Sequence, residues 1–269
     1  DSDGFALGAD VKVNTDTEKY VAWCWKAGTA FSNDASGTSI GNTDSSGSAS
    51  STAGFSICSY TGAGSSLDIT VKHGLGVIPA VMITKNLEDA NSGPVYHAAN
   101  TAAPETDFLE LDTTDATADQ GEVWLDTAPT SAIFTAGDFS GSNRSGDDFI
   151  SYFWNEVQGF SKFSSYTGNG NADGAFIYTG FRPAWVVIKK TSDTGNWLVW
   201  DTKREGYNVD NDALLANTND AEETDDRVDL LSNGFKMRGS QTANNASGAT
   251  YVYMAFAEAP FVNSNGVPC

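Results

Sequence analysis

The sequence predicts an all-β fold made of tandem β-sandwich-like repeats of about 105 residues. Its apolar segments are short and rich in β-branched and aromatic residues, and no amphipathic period of 3.6 continues over three turns. The 269 residues include 27 Gly, with many Ser, Thr, Asn and Asp, and all of these favour turns. One order of motifs also occurs twice along the chain, which indicates an internal repeat.

The repeated order begins at Gly54-Phe55-Ser56 and again at Gly159-Phe160-Ser161. Each copy continues through a Ser-Tyr-Thr-Gly motif to a proline and then to an apolar strand. This order predicts the following division of the chain: a β-sandwich repeat at residues 54–158, a second at 159–261, and a C-terminal tail at 262–269.

A strand, a polar turn and a returning aromatic strand are predicted at three places. The aromatic residues that mark them are Phe5 and Tyr20, Phe134 and Phe149, and Phe235 and Tyr251. Because the first 27 residues match only the end of a repeat, we expect residues 1–27 to be the closing hairpin of a preceding repeat. The returning strands are apolar on both faces, so each is expected to be central in a sandwich or covered by a neighbouring domain.

Residues 28–53 are Ser, Thr or Gly at sixteen of 26 positions. This composition predicts a linker, flexible or strapped loosely along a sheet edge.

Two of the predicted turns carry the pattern Asn-x-Ser-Gly, at residues 143–146 and 245–248. In a secreted eukaryotic protein the pattern would be a glycosylation acceptor. Because Asn and Gly tolerate positive φ, repeated turn chemistry is the interpretation we prefer.

The balance of 35 acidic and 15 basic residues gives a formal net charge of −20. A field of this sign repels phosphate backbones and anionic lipid, so nucleic acid is not an expected partner. No apolar run reaches 18 residues, so membrane insertion is not expected either. Three cysteines, Cys24, Cys58 and Cys269, stand at unrelated spacings and predict free thiols rather than disulfides or a zinc site.

Residues 105–126 contain eight carboxylates without a basic residue, and residues 210–229 contain eight with Arg227 alone. Neither stretch has the spacing of an EF-hand loop, so we expect no metal site, no cofactor and no catalytic residues. The two histidines, His73 and His97, belong to no recognisable catalytic motif and are expected to be structural.

Aromatic rings beside polar segments could stack on sugar rings while nearby Asp and Asn bind hydroxyl groups. The candidates for such a carbohydrate-binding surface are Trp124, Trp197, Trp200 and Tyr207. The alternative is that these rings pack between domains.

Several motifs are spread over nearly the whole chain, and they include Tyr20-Val21-Ala22-Trp23-Cys24-Trp25-Lys26, Ala53-Gly54-Phe55-Ser56-Ile57, Tyr178-Thr179-Gly180-Phe181-Arg182-Pro183 and Ala255-Phe256-Ala257-Glu258-Ala259-Pro260-Phe261. In these motifs the chain resembles an uncharacterised β-rich repeat family of marine bacteriophage virion proteins, in which such repeats often follow a concanavalin-like lectin domain. No catalytic residues come with this resemblance.

The resemblance implies a structural protein on the virion surface, made in the host cytoplasm. It would be a segment of a tail fibre or another appendage that spaces or presents a host-binding surface. The partners it implies are other virion proteins or copies of the same chain, with a host-surface glycan as a further candidate. The alternatives are a carbohydrate-binding module, a bacterial surface filament and, with less support, a polysaccharide depolymerase.

Overall fold

The computed structural model describes residues 4–204, 208 and 212–258. Within them the chain forms eighteen strands, four single-turn α-helices and one 3₁₀ turn at Gly64–Ser66. The first ten strands are β1 Thr29–Asn33, β2 Ser45–Ser50, β3 Phe55–Thr61, β4 Ile69–Lys72, β5 Val81–Asn86, β6 Pro94–His97, β7 Asp107–Glu110, β8 Ala118–Asp119, β9 Ile133–Ala136 and β10 Asp148–Trp154. The others are β11 Ser161–Thr167, β12 Phe176–Tyr178, β13 Pro183–Lys190, β14 Trp197–Asp201, β15 Leu214–Leu215, β16 Val228–Leu231, β17 Gly234–Met237 and β18 Thr250–Ala257. The helices are α1 Ala35–Thr38, α2 Gly121–Trp124, α3 Ser140–Asn143 and α4 Thr242–Asn245.

The strands form antiparallel sheets, which confirms the predicted β-rich fold. The largest sheet has the order β1-β2-β3-β10-β5-β6-β7-β8, and the second has the order β11-β18-β13-β14-β15. Two smaller sheets, β4-β9 and β12-β17-β16, complete the fold. In the part of the chain that the structure describes, no helix has the length and apolar character needed to span a membrane.

The central strands of the two large sheets follow the same order. The order β3-β10-β5-β6-β7 in one sheet has the same chain-order pattern as β11-β18-β13-β14-β15 in the other. The two aromatic strands β10 and β18 therefore occupy the same position, each hydrogen-bonded on both sides.

Three apolar cores separate the sheets. One lies between the largest sheet and β4-β9, one between the second sheet and β12-β17-β16, and the third between the two large sheets. In β10, Phe149 and Phe153 point into the first of these cores and Trp154 into the third. The sequence shows that this strand is apolar on both faces, and from this we predicted that both faces are covered. The structure confirms that prediction for β10.

Residues 28–53 are not a flexible linker. They form β1, α1 and β2, and β2 pairs with β3 over five residues at the edge of the largest sheet. Backbone hydrogen bonds can hold these strands in the sheet without large apolar side chains. Their Ser, Thr and Gly composition therefore resembled that of a linker. The alternative of a strap along a sheet edge describes the position correctly.

The N-terminal segment, residues 4–28, contains no strand. Trp23, Trp25 and Ala27 pack against the core between the two large sheets, whereas Tyr20 and Cys24 are exposed. Residues 20–25 therefore differ from β10 and β18, which lie between two hydrogen-bonded neighbours. Their assignment to a preceding repeat stays a prediction, and the predicted tail at 262–269 lies outside the described residues.

Candidate ligand-binding surfaces

The expected exposure of the candidate aromatic rings is wrong for the three that the structure describes. Trp124, Trp197 and Trp200 are 1 %, 3 % and 1 % exposed. Strand β14 lies between two cores, so Trp197 enters the core between the large sheets and Trp200 enters the core beneath β12-β17-β16. Polar neighbours in the sequence suggested exposure, but the strand is covered on both faces. Tyr207 lies outside the described residues.

Trp197 supports the alternative interpretation, packing between the two halves of the chain. Its indole Nε1 donates a hydrogen bond to the backbone O of Glu110, at 2.8 Å, and Glu110 belongs to β7 in the other large sheet. The side chain therefore joins the two sheets through a polar contact as well as through its ring.

Four of the described acidic residues pair with two arginines, three of them over two to four positions of the chain and Glu222 over a longer separation. Arg204 pairs with Asp201, at 2.7 Å, and with Glu222, and it is only 13 % exposed. Arg227 pairs with Glu223 and Asp225 at 2.7 and 2.8 Å. Within the described residues no group of three or more potential ligands is placed to hold a metal ion.

Both histidines are buried and held by backbone groups. His73 Nδ1 accepts from Leu75 N at 3.2 Å, and its Nε2 lies 3.1 Å from Thr130 O. His97 Nδ1 accepts from Ala99 N at 3.1 Å. Burial lowers the pKa of each imidazole to about 4, so both are neutral at pH 7. Each joins backbone groups through its two ring nitrogens.

The two Asn-x-Ser-Gly segments are turns, as preferred. Asn143 is fully buried, and its Oδ1 accepts from the backbone N of Ala63 at 2.7 Å and of Gly64 at 3.2 Å. Asn245 is also fully buried, and its Oδ1 accepts from Asn169 N at 3.0 Å. Because both amides are enclosed and hydrogen-bonded, neither is a glycan acceptor in the folded chain.

A polar cleft of about 570 Å³ lies where residues 28–53 meet β3. Hydroxyl groups and carboxylates line it, among them those of Ser32, Asp34, Ser46, Ser59, Thr61 and Asp148. The carboxylates serve the protein itself, since Asp34 accepts from Gly37 N at 3.0 Å and Asp148 accepts from Thr61 Oγ1 at 2.7 Å. The hydrogen bond from Ser36 lowers the pKa of Asp34, so this carboxylate is ionised. The cleft therefore has a polar lining rich in hydroxyl groups, and the linker interpretation did not predict it.

An aromatic seam marks the place where the N-terminal segment covers the core between the large sheets. The Trp25 ring centroid lies 5.5 Å from those of Trp185 and Phe256 and 6.1 Å from that of Trp154. Grooves of about 420 and 440 Å³ adjoin the seam. The indole rings thus pack mainly against other aromatic rings, and their exposed edges line the two grooves.

Residues 1–260 match a family described as Domain of unknown function (DUF7483). No curated protein and no solved structure matches the chain.

Proposed function

Since the chain belongs to the DUF7483 family, whose function is unknown, we propose that it is a structural segment of a bacteriophage virion. Its place would be a tail fibre or another surface appendage, where it spaces or presents a host-binding surface. Its partners would be other virion proteins or copies of itself.

The observation that carries this proposal is the continuous packing of the two large sheets. The core between them contains buried residues from β3, β5, β6, β7 and β10 on one side and from β11, β13, β14 and β18 on the other. Apolar burial on this scale opposes hinge motion between the halves. A rigid segment of this kind could hold a host-binding surface at a fixed distance from the virion.

We propose further that the halves are two copies of one unit, residues 54–158 and 159–261, and that residues 1–27 close a preceding unit. The shared strand order supports this. So do the stacked pairs Tyr60–Phe149, with centroids 5.3 Å apart, and Tyr166–Tyr251, at 4.9 Å. The Tyr60 hydroxyl donates to Ser142 O in α3, and the Tyr166 hydroxyl donates to Asn244 O in α4.

A non-catalytic role is part of the proposal. Both histidines hold backbone groups, and the partly buried arginines Arg204 and Arg227 pair with carboxylates. The two histidines, the side chains best suited to acid–base chemistry near pH 7, are therefore used to build the fold, and the two arginines form ion pairs. The net charge of −20 would keep an exposed appendage soluble and reduce its adhesion to anionic cell coats.

Immunogold labelling tests the location. An antibody against this chain is expected to label an appendage of intact virions that encode it. Label found only after the capsid is opened, or on a bacterial filament, would refute the assignment.

Carbohydrate binding is the second candidate function, favoured by the polar cleft beside β3. A glycan array probed with the chain and with a Ser59→Trp variant, which fills the cleft, tests it. Signals that the variant abolishes would support a glycan ligand. Identical signals from both proteins would exclude the cleft as the site.

A further inference from the structure

Residues 28–53 cover two sheet edges in the first half of the chain. Strand β2 pairs with β3 along the largest sheet. Residues just before β2 cover β4, because the backbone N of Asn42 and of Thr43 donates to Thr70 O at 3.0 and 3.2 Å. The side chain of Asn42 completes the contact by accepting from Thr70 N at 2.7 Å.

The corresponding edges in the second half carry no such cover among the described residues. Strand β11 ends its sheet at the position that β3 has in the first half, and β12 ends its sheet at the position of β4. The chain passes directly from β10 to β11, with six residues between Trp154 and Ser161.

The open edge of β11 begins after Phe163. The backbone N–H of Phe163 donates to Glu156 Oε1 at 2.9 Å and not to β18, so it points away from β18. Alternate residues of an edge strand direct their backbone groups to the same side. Ser165 and Thr167 therefore present their N–H and C=O groups to the open edge.

The open edge of β12 is flanked by exposed aromatic rings. Thr179 N donates to Asn233 O at 3.0 Å, on the β17 side, so Phe176 and Tyr178 direct their backbone groups outward. Their side chains are 47 % and 65 % exposed. An unpaired edge next to exposed rings is a surface on which a further strand can dock.

We propose that this surface, the outer edges of β11 and β12, is a docking site for an extended strand of small polar residues supplied by a partner protein. The chemistry of the strand follows from the segment that covers the first half. A Cβ on Gly41, at φ +71°, would lie 2.4 Å from Thr70 O, and a Cβ on Gly47 would lie 2.0 Å from Ile57 O. The docked strand must therefore carry glycine where it crosses the edge, with Asn or Thr beside it to bind the backbone. This inference rests on the proposed equivalence of the two halves and not on the virion assignment.

A peptide with the sequence of residues 39–48 is the probe, labelled with a fluorophore and titrated against the whole chain by fluorescence anisotropy. We expect saturable binding. The matched control peptide carries Gly41→Val, which places a side chain against the edge and is expected not to bind.

Two variants of one residue isolate the backbone contact. Ser165→Pro removes an outward N–H without removing a hydrogen bond to β18, and it is expected to weaken peptide binding by about tenfold. Ser165→Ala keeps the N–H and is expected to bind as the wild type does. Hydrogen exchange of the wild-type protein gives a second readout, with protection by the peptide expected in residues 161–168 and 175–179.

Several results would overturn the proposal. One is the absence of peptide binding, and another is equal binding by the Pro and Ala variants. Protection of β3 and β4 would show instead that the peptide replaces residues 28–53 of the chain itself on the first half. Self-association that Ser165→Pro abolishes would assign the edge to a second copy of this chain rather than to a partner protein.

Discussion

The Nε2 atom of His97 lies 3.1 Å from the backbone O of Tyr253 and joins β6 of the largest sheet to β18 of the second. His97 is 2 % exposed. Its other ring nitrogen accepts from Ala99 N, which fixes the tautomer with the proton on Nε2. One neutral imidazole thus ties the two halves together from within their shared core.

Replacing His97 tests how much this tie contributes. His97→Leu is expected to lower the free energy of unfolding by about 1–3 kcal/mol, because Tyr253 O and Ala99 N lose their partner in a buried site. Urea denaturation followed by tryptophan fluorescence measures the change. His97→Gln, which can still donate, is the matched control and should cost less. Equal stability of the Leu variant and the wild type would contradict the assigned role.

Acid should destabilise the fold through its two histidines. Burial lowers the pKa of His73 and His97 to about 4, whereas an unfolded histidine titrates near 6.5. The unfolded state then binds more protons between these values, so stability is full above about pH 6.5 and falls as the pH decreases toward 4. Complete protonation corresponds to about 3 kcal/mol for each histidine.

Urea unfolding at pH 7, 6 and 5 measures this loss. A His73→Gln/His97→Gln double variant, which cannot titrate in this range, should show a smaller fall over the same interval. Parallel curves for the double variant and the wild type would assign the acid sensitivity to carboxylates instead.

The sequence was most informative where side chains alternate between two cores. The aromatic strands β10 and β18 could be predicted as doubly covered because each is apolar on both faces. Residues 28–53 could not, since backbone pairing leaves no signature in Ser, Thr and Gly. The burial of Trp197 and Trp200 was also hidden, because it depends on which sheets flank β14 and not on the neighbouring residues. Likewise, the pairing of Arg204 with Glu222 joins residues far apart in the chain.

The two buried turn asparagines should be equally important for stability. Asn143→Ala is expected to cost about 3 kcal/mol because two backbone N–H groups lose their acceptor in a closed turn. Asn245→Ala should cost a similar amount. Thermal unfolding measures both, and Asn219→Ala, at an exposed loop position, is the control. If either variant unfolds at the wild-type temperature, the asparagine side chain is not needed to stabilise that turn.

Calcium should not stabilise the protein specifically. Any ligand that binds only the native state must raise the melting temperature. We expect calcium chloride and sodium chloride at equal ionic strength to have the same small effect, through screening of the net charge of −20. A melting temperature raised sharply by calcium alone would locate a site in the acidic stretches and overturn this expectation.

The N-terminal segment offers the most direct test of the aromatic seam. Trp25 contacts Trp154, Trp185 and Phe256, so Trp25→Ala removes a ring that covers the core between the large sheets. The expected cost is about 2 kcal/mol, below that of a fully buried Trp because the ring is partly exposed. Differential scanning fluorimetry measures the stability, and binding of the dye ANS measures the apolar surface that is uncovered. Cys24→Ala is the matched control, since the adjacent side chain is exposed and should have no effect. If Trp25→Ala leaves both readouts unchanged, the segment does not dock on the seam in solution, and the two halves must hold together without it, through sheet packing and through hydrogen bonds such as those of His97, Trp197 and Lys189.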